Sequence, residues 1–417
     1  MLTKRRLMIL GCFLSITAIT TCVPSPLPTE TPQTQTAETQ VAPTASPVMA
    51  TTTPEPVPGP EGRSWVTILC KFRDVPDEPK QGSYFESLFS PNYPGIPDYY
   101  RTITYGNITI NPYPLSYASG WYTLPKTART YVDEFVLYLA LMSLGGNLPL
   151  VGDCLDQADP FIDFSKVWGI NVALNKGMPE GGGVGYHWIG ELDGVSRTWP
   201  VTILLPACWS NMRCVVHEML HTDGLLHSLG GMDIIQNPWD VMSPLDYELG
   251  GILHYCEFTR DPQFGCLPQA PMSFHLFQQG WLPRKSVVVL RDDGVSQHRV
   301  FTLLPPPSEG TQMLAIPRDD GCAYTVEARA PVSYDINLPT GITVMVLHLV
   351  CQEGEQILAI GNDPTNSTAP DPIYIWTTGD VFWDEENHIS ICVGERQSYA
   401  IEVTVKKGGE TKGCEDD

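Results

Sequence analysis

The sequence predicts an α/β (α+β) domain with a mixed sheet and two long helices, followed by a smaller all-β, sandwich-like domain. Three observations carry this prediction. Up to about residue 285, β-rich apolar runs alternate with two stretches of helical periodicity. Beyond that point only short β-branched runs remain, separated by Pro, Gly and Asp turns. A content of 42% hydrophobic and 10% aromatic residues over 417 residues supplies apolar material for more than one packed core.

The chain opens on Lys4, Arg5 and Arg6, followed by an apolar stretch, 7–19, too short for a comfortable membrane span; this pattern is that of an export signal. Ile19-Thr20-Thr21-Cys22 resembles a bacterial lipobox, which implies that Cys22 is lipidated and that 1–22 is a lipoprotein-type signal; an ordinary cleaved secretory signal is the alternative. From 23 to 62 the chain is almost wholly Pro, Thr, Ser, Ala, Gln and Glu, too poor in large apolar residues to fold, and is expected to be a disordered tether. The excess of 47 acidic over 25 basic residues, a formal charge of -22, repels a phosphate backbone and speaks against nucleic acid as a partner. Setting aside Cys12 and Cys22, the remaining cysteines are even in number, as expected for disulfides in an exported chain. Cys208 with Cys214 and Cys256 with Cys266 are close enough to staple local loops, and the other pairings stay open. No CxxC spacing occurs, so a thiolate metal site is not expected.

The first globular domain is predicted over 63–285. Trp65-Val66-Thr67-Ile68-Leu69-Cys70-Lys71-Phe72 is its first strand, 84–89 a short helix, and 98–110 a helical turn passing to a strand with Gly106 at the junction. Residues 121–124 form another strand. Between 126 and 144, Tyr131, Phe135, Tyr138, Leu139 and Met142 recur at helical spacing, and Gly145-Gly146 ends the helix. A buried strand over 167–174, a Gly-rich loop over 181–185 and a strand over 201–205 lead to a second helix, 211–222. The β-rich domain is predicted over 286–417, with strands near 286–290, 342–349, 373–377 and 399–405.

The chemistry lies on that second helix, in His217-Glu218-Met219-Leu220-His221-Thr222-Asp223-Gly224-Leu225-Leu226-His227. Residues four apart share a helix face, so His217 and His221 can grip one metal ion. Gly224 accepts the left-handed conformation of a helix end and lets His227 turn back as third ligand. Three histidines leave one coordination position for water, the mark of a catalytic rather than a structural zinc site. Glu218 projects roughly a hundred degrees round the helix from His217, placed to act as general base on that water and return the proton to a leaving amine. The expected cofactor is one catalytic Zn2+, which acidifies water toward about 7 and polarises the carbonyl. The other histidines, 187, 254, 275, 298, 348 and 388, show no ligand spacing and are read as surface or hydrogen-bonded core residues.

The pattern HExxHxxGxxH resembles that of the metzincin metallopeptidases. These have a turn with a Met beneath the ligands, and Trp239-Asp240-Val241-Met242-Ser243 stands at a suitable distance, which points to Met242. Pro244 occupies the place where some metzincins carry a tyrosine ligand, so no fourth protein ligand is implied. Lys71-Phe72-Arg73-Asp74, Tyr84-Phe85-Glu86-Ser87-Leu88-Phe89, Asp98-Tyr99-Tyr100, Thr104-Tyr105-Gly106 and Gly120-Trp121-Tyr122 are similar to segments of the immune inhibitor A and gametolysin peptidases. The resemblance spans about 64–285, with a fainter echo in Tyr324-Thr325-Val326-Glu327-Ala328-Arg329. His227, where immune inhibitor A enzymes often have Asp, fits the gametolysin type. The resemblance implies a zinc endopeptidase acting on extracellular protein or peptide, with the substrate extended along an edge strand; Gly183-Val184-Gly185-Tyr186 is a candidate border of that cleft, with a simple Gly-rich loop the preferred account. Calcium sites occur in related enzymes, but the acidic residues here form no EF-hand-like loop. A monomer held to the membrane by its N-terminal lipid is expected. The alternatives are a non-catalytic, zinc-stabilised surface adhesin and a zinc hydrolase of another bond.

Overall fold

The computed structural model describes residues 62–114, 120–141, 147–178, 182–229, 237, 239–244, 260–290, 297–336, 341–351, 356–361, 374–408 and 412–414. The expected signal with Cys22, the tether up to residue 61, Met142, Gly145, Gly146, Gly181, His254, Cys256 and the last-domain run at 373 lie outside these residues, as do the side chains of Tyr138 and Leu139. The described chain is mixed α/β, with several sheets and few helices.

The first strand, β1 (Arg63–Lys71), is buried on both faces, as its unbroken apolar run requires of a strand in a parallel sheet. It pairs in parallel with β2 (Ile110–Pro112), β3 (Trp121–Thr123) and β4 (Gly169–Leu174). Next come β5 (Gly183–Leu192) and β6 (Val195–Leu204), an antiparallel hairpin of which β6 also pairs in parallel with β4. The resulting order is β2-β1-β4-β6-β5, with β3 beside β1. Alternate residues of β1 feed opposite cores. Trp65 and Leu69 join the cluster that contains the motif helix, whereas Val66, Ile68 and Cys70 join a second cluster on the other face.

Helices α1 (Gly82–Leu88), α2 (Ile96–Ile103), α3 (Ala128–Leu141) and α4 (Pro149–Ala158) cover the sheet. The first three answer to the predicted positions. The fourth has no counterpart in the sequence reading: Gly152 interrupts it, yet Leu150, Val151, Cys154, Leu155 and Ala158 are buried, and a disulfide from Cys154 to Cys70 pins it to β1. The predicted Gly-rich loop at 181–185 is a correction: from Gly183 onward it is strand β5. Glycine has little intrinsic preference for strands, so it reads as a loop; here it marks a close approach of another element.

After β6 come α5 (Pro206–Trp209) and α6 (Met212–Thr222), joined by the expected Cys208–Cys214 disulfide. A small hairpin, β7 (Arg260–Asp261) and β8 (Gly265–Cys266), and a short helix, α7 (Ser273–Gln278), follow. Cys266 is disulfide-bonded.

The C-terminal part carries two sheets. One is β14-β13-β12-β11-β9, from Gln356–Ile360, Val344–Cys351, Ala323–Arg329, Met313–Pro317 and Val287–Val289; the other is β10-β17-β16-β15, from Gln297–Leu303, Ala400–Lys407, Ile389–Gln397 and Val381–Asp384. Leu314, Val326 and Leu347 of one sheet share a cluster with Leu303, Ile391 and Val403 of the other. Disulfides Cys322–Cys351 and Cys392–Cys414 brace them. The run expected as a strand at 373–377 is instead represented by a single bridge from Trp376 to Met345. The core that surrounds α6 also takes in Met313, Tyr334, Val350 and Ile357, so apolar packing is continuous across residue 285.

Candidate metal centre

Helix α6 starts at Asn211, whose extended backbone lets the chain turn in, and is buried along nearly its whole length. Its C-terminus is a Schellman arrangement. Leu225 N–H donates to Leu220 O at 3.2 Å and Gly224 N–H to His221 O at 3.0 Å, with Gly224 at φ +90°. Leu220 and Leu225 lie in the same apolar cluster, which seals the turn. The chain thus reverses within a few residues of His221.

That reversal brings His227 onto the helix face of His217 and His221. The three Nε2 atoms form a nearly equilateral triangle with sides of 3.1, 3.1 and 3.0 Å. The outer nitrogens fix the tautomers: His217 Nδ1–H donates to Val241 O and His221 Nδ1–H to Leu225 O, both at 2.8 Å. Each of these two rings therefore turns an Nε2 lone pair toward the centre. Facing lone pairs repel, whereas a shared cation reconciles them. Tetrahedral zinc with Zn–N of about 2.0–2.1 Å places its nitrogens roughly 3.3 Å apart, close to this triangle. Burial, reinforced by the neighbouring rings, lowers the pKa of His217 well below the ordinary value and that of His221 to about 4; burial lowers His227 too. Neutral imidazole is the ligating form.

Cys208, Cys214 and Glu218 also lie within ligand distance of one another. The two sulfurs are bonded to each other at 2.07 Å, which leaves no thiolate to bind an ion.

Glu218 is buried on the next helix position after His217, with its carboxylate near the Cys208–Cys214 disulfide. Burial pushes its pKa up to about 8, against the backbone of Gly185, which favours the carboxylate. A Cβ on Gly183 would sit 2.8 Å from Glu218 Cγ, and one on Gly185 would sit 2.1 Å from Glu218 O and 2.8 Å from His221 Cβ. The start of β5 lies directly against the motif, and only glycine permits it.

Met242 is fully buried in the cluster that holds Val216, Met219 and Leu220. Its turn is stitched to the histidine segments on both sides, since Val241 O accepts from His217 and Met242 O accepts from Ser228 N–H at 3.2 Å. Asp240 Oδ1 accepts from Met242 N–H and Met272 N–H, while Asp240 Oδ2 lies 3.0 Å from His275 Nδ1, both side chains fully buried. Burial raises the Asp240 carboxyl, but His275, Ser228 and the Met242 N–H together outweigh it and hold the group below the ordinary carboxylate range. Arg213, one turn before His217, donates to the carbonyls of Asp240 and Ser243. At the far end of α6, Asp223 receives Arg63 Nη1 at 2.5 Å and the Tyr100 hydroxyl at 3.1 Å.

The structure brings together His217, His221, His227, Glu218 and Gly224, and packs Met242 with the helix beneath them. His275 and His348 are buried, and His187, His298 and His388 are exposed; none joins the triangle. Sequence reasoning weighed Gly183-Val184-Gly185-Tyr186 as a border of the cleft but preferred a simple loop, and it missed the Asp240–His275 pair and the Asp223 anchor. Glycines spaced two apart just upstream of the motif were the available signal for the border. The pair and the anchor depend on contacts distant in sequence and left none. No family model matches the chain, and no curated protein matches it.

Proposed function

We propose that the chain is an exported, zinc-dependent endopeptidase of the metzincin kind that its motif resembles, hydrolysing extracellular protein or peptide and tethered to the membrane through Cys22. The observation that carries this proposal is the triangle of imidazole Nε2 atoms, with Glu218 buried on the helix position next to the first of them. Bound there, a zinc ion supplies Lewis acidity toward a carbonyl oxygen and acidifies water toward about 7. The remaining chemistry is the chain's own. Glu218, with its raised proton affinity, takes a proton on one side of the reaction and delivers it to the leaving amine on the other. The Val241 and Leu225 carbonyls hold two rings in the ligating tautomer. Strand β5, at the end of the sheet and against α6, offers its outer edge to an extended peptide. Four disulfides among the described residues support an oxidising compartment.

The test is to purify the full chain with Glu218→Ala and His227→Ala, measure bound metal, and incubate each with an unfolded protein. Wild type and Glu218→Ala are expected to hold near-stoichiometric zinc, and His227→Ala to lose it. Wild type should cleave, Glu218→Ala should be slower by about 10²–10⁴-fold, and His227→Ala should be inactive. Zinc in the first two proteins with no cleavage by either, and equal binding of a surface ligand, would instead identify a zinc-stabilised binding protein.

A further inference from the structure

Strand β5 carries a second device, at the end remote from Gly183. The hairpin pairs Gly182 with Leu205, whose N–H donates to Gly182 O, so even-numbered residues of β5 bond to β6 and odd-numbered ones turn their backbone groups outward. Two observations agree with this parity. Ile189 bonds with both backbone groups to Asn147 rather than to β6, and the residue opposite His187 is Pro200, which has no N–H to give. The outer edge therefore presents Gly185, His187 and Ile189 in succession. The backbone groups of His187 make no hydrogen bond among the described residues. At Ile189 both backbone groups are taken by one side chain: Asn147 Nδ2 donates to Ile189 O at 2.5 Å and Ile189 N–H donates to Asn147 Oδ1 at 2.9 Å. A carboxamide bonded in this two-point way does what the peptide group of an added strand would do.

Resting on the peptidase assignment above, we propose that Asn147 is a specificity-determining residue: as a surrogate peptide group it closes the β5 edge at Ile189 and ends the ladder that a substrate can form. A peptide antiparallel to β5 meets the metal triangle near Gly185 and pairs again about two residues toward its N-terminus, at His187. About two residues further it would need Ile189, which Asn147 holds. The site thus engages a short stretch, roughly three residues, on that side of the scissile bond. Asn147 sits just ahead of α4, whose burial against the sheet fixes the approach of the side chain.

The experiment uses the full chain, Asn147→Ala and Asn147→Asp with fluorogenic peptides that share one scissile sequence and grow one residue at a time at the N-terminus. For wild type, kcat/KM is expected to rise up to roughly the third upstream residue and then stay flat. For Asn147→Ala it should go on rising, by about tenfold through KM with kcat unchanged, the worth of two recovered backbone hydrogen bonds. Asn147→Asp, which keeps the acceptor for Ile189 N–H but not the donor, should fall between. Hydrogen exchange at the Ile189 amide should speed up in Asn147→Ala. If wild type cuts no peptide, the peptidase assignment falls, and Kd for the same series on Glu218→Ala with and without Asn147→Ala then decides the matter. Superposable length dependences in wild type and Asn147→Ala, or no binding of any peptide, overturn the proposal.

Discussion

At the scale of single residues, the site depends as much on what is missing as on what is present. Gly185 has no Cβ, and one placed there would lie 2.1 Å from the Glu218 carbonyl oxygen. Backbone cannot yield as a flexible side chain can, so Gly185→Ala is expected to push β5 off α6 at a cost of about 1–3 kcal/mol. Urea denaturation would register the loss, and an unchanged midpoint would mean that the strand and helix are not in contact. His348 makes a different point. It is fully buried, accepts from Asn237 Nδ2 at 3.0 Å, and burial lowers its pKa to about 3. The unfolded chain takes up this proton near the ordinary value and the folded chain does not. Stability contributed by this residue is thus intact above about pH 6.5 and lost as pH falls from there toward 3, with a slope of up to about 1.4 kcal/mol per unit. Denaturation midpoints across that window should fall more steeply for wild type than for His348→Gln, and parallel curves would remove His348 from the account.

At the scale of elements, the end of α6 shows how a turn brings a third imidazole to the other two. Gly224 lies at φ +90°, and a Cβ there would meet only Gln279 Nε2 at 3.6 Å. With space available, the cost of Gly224→Ala is conformational, about 1–2 kcal/mol. The same turn delivers His227, so the variant should also bind zinc more weakly; competition with a chelating indicator would measure this, and undiminished affinity would show that His227 reaches its position without the glycine. Strand β5 is the element that sequence reasoning misjudged. Its glycines obscure the alternation by which a strand is recognised, and their reason for being there is a helix that follows in sequence but packs against them in space.

At the scale of the whole molecule, the C-terminal sheets are built into the site rather than appended to it. Leu229, two residues beyond His227, donates from its N–H to Ile357 O at 2.9 Å and accepts from Ala359 N–H at 3.0 Å, so the chain leaving the third histidine is clamped by β14. Ala270 N–H donates to Asp335 and Ser273 N–H to Glu327, while Arg329 lies buried between those two carboxylates. Removing one member of such a buried group strands the others, typically for about 3–5 kcal/mol. Asp335→Ala, although remote in sequence from the motif, is therefore expected to lower the temperature at which zinc is released together with that at which tertiary structure melts. Metal release and near-ultraviolet circular dichroism followed in one scan would check it; loss of the C-terminal signal with zinc retained would show that the halves fold independently.

What the sequence determined by itself is what rests on local spacing. Residues four apart share a helix face, a glycine tolerates a reversed turn, and an unbroken apolar run is buried on both sides; from these came α6, the grouping of His217, His221 and His227, and most strands of the first sheet. The tertiary structure decided what depends on residues that meet only after folding. It turned Gly183 and Gly185 from a loop into an edge strand, buried Asp240 against His275 beneath the turn at Met242, joined Cys70 to Cys154, and set Asn147 on Ile189. The physical reason is that periodicity records which face of an element is apolar, whereas a partner across space is chosen by packing, and packing leaves no regular interval in the chain.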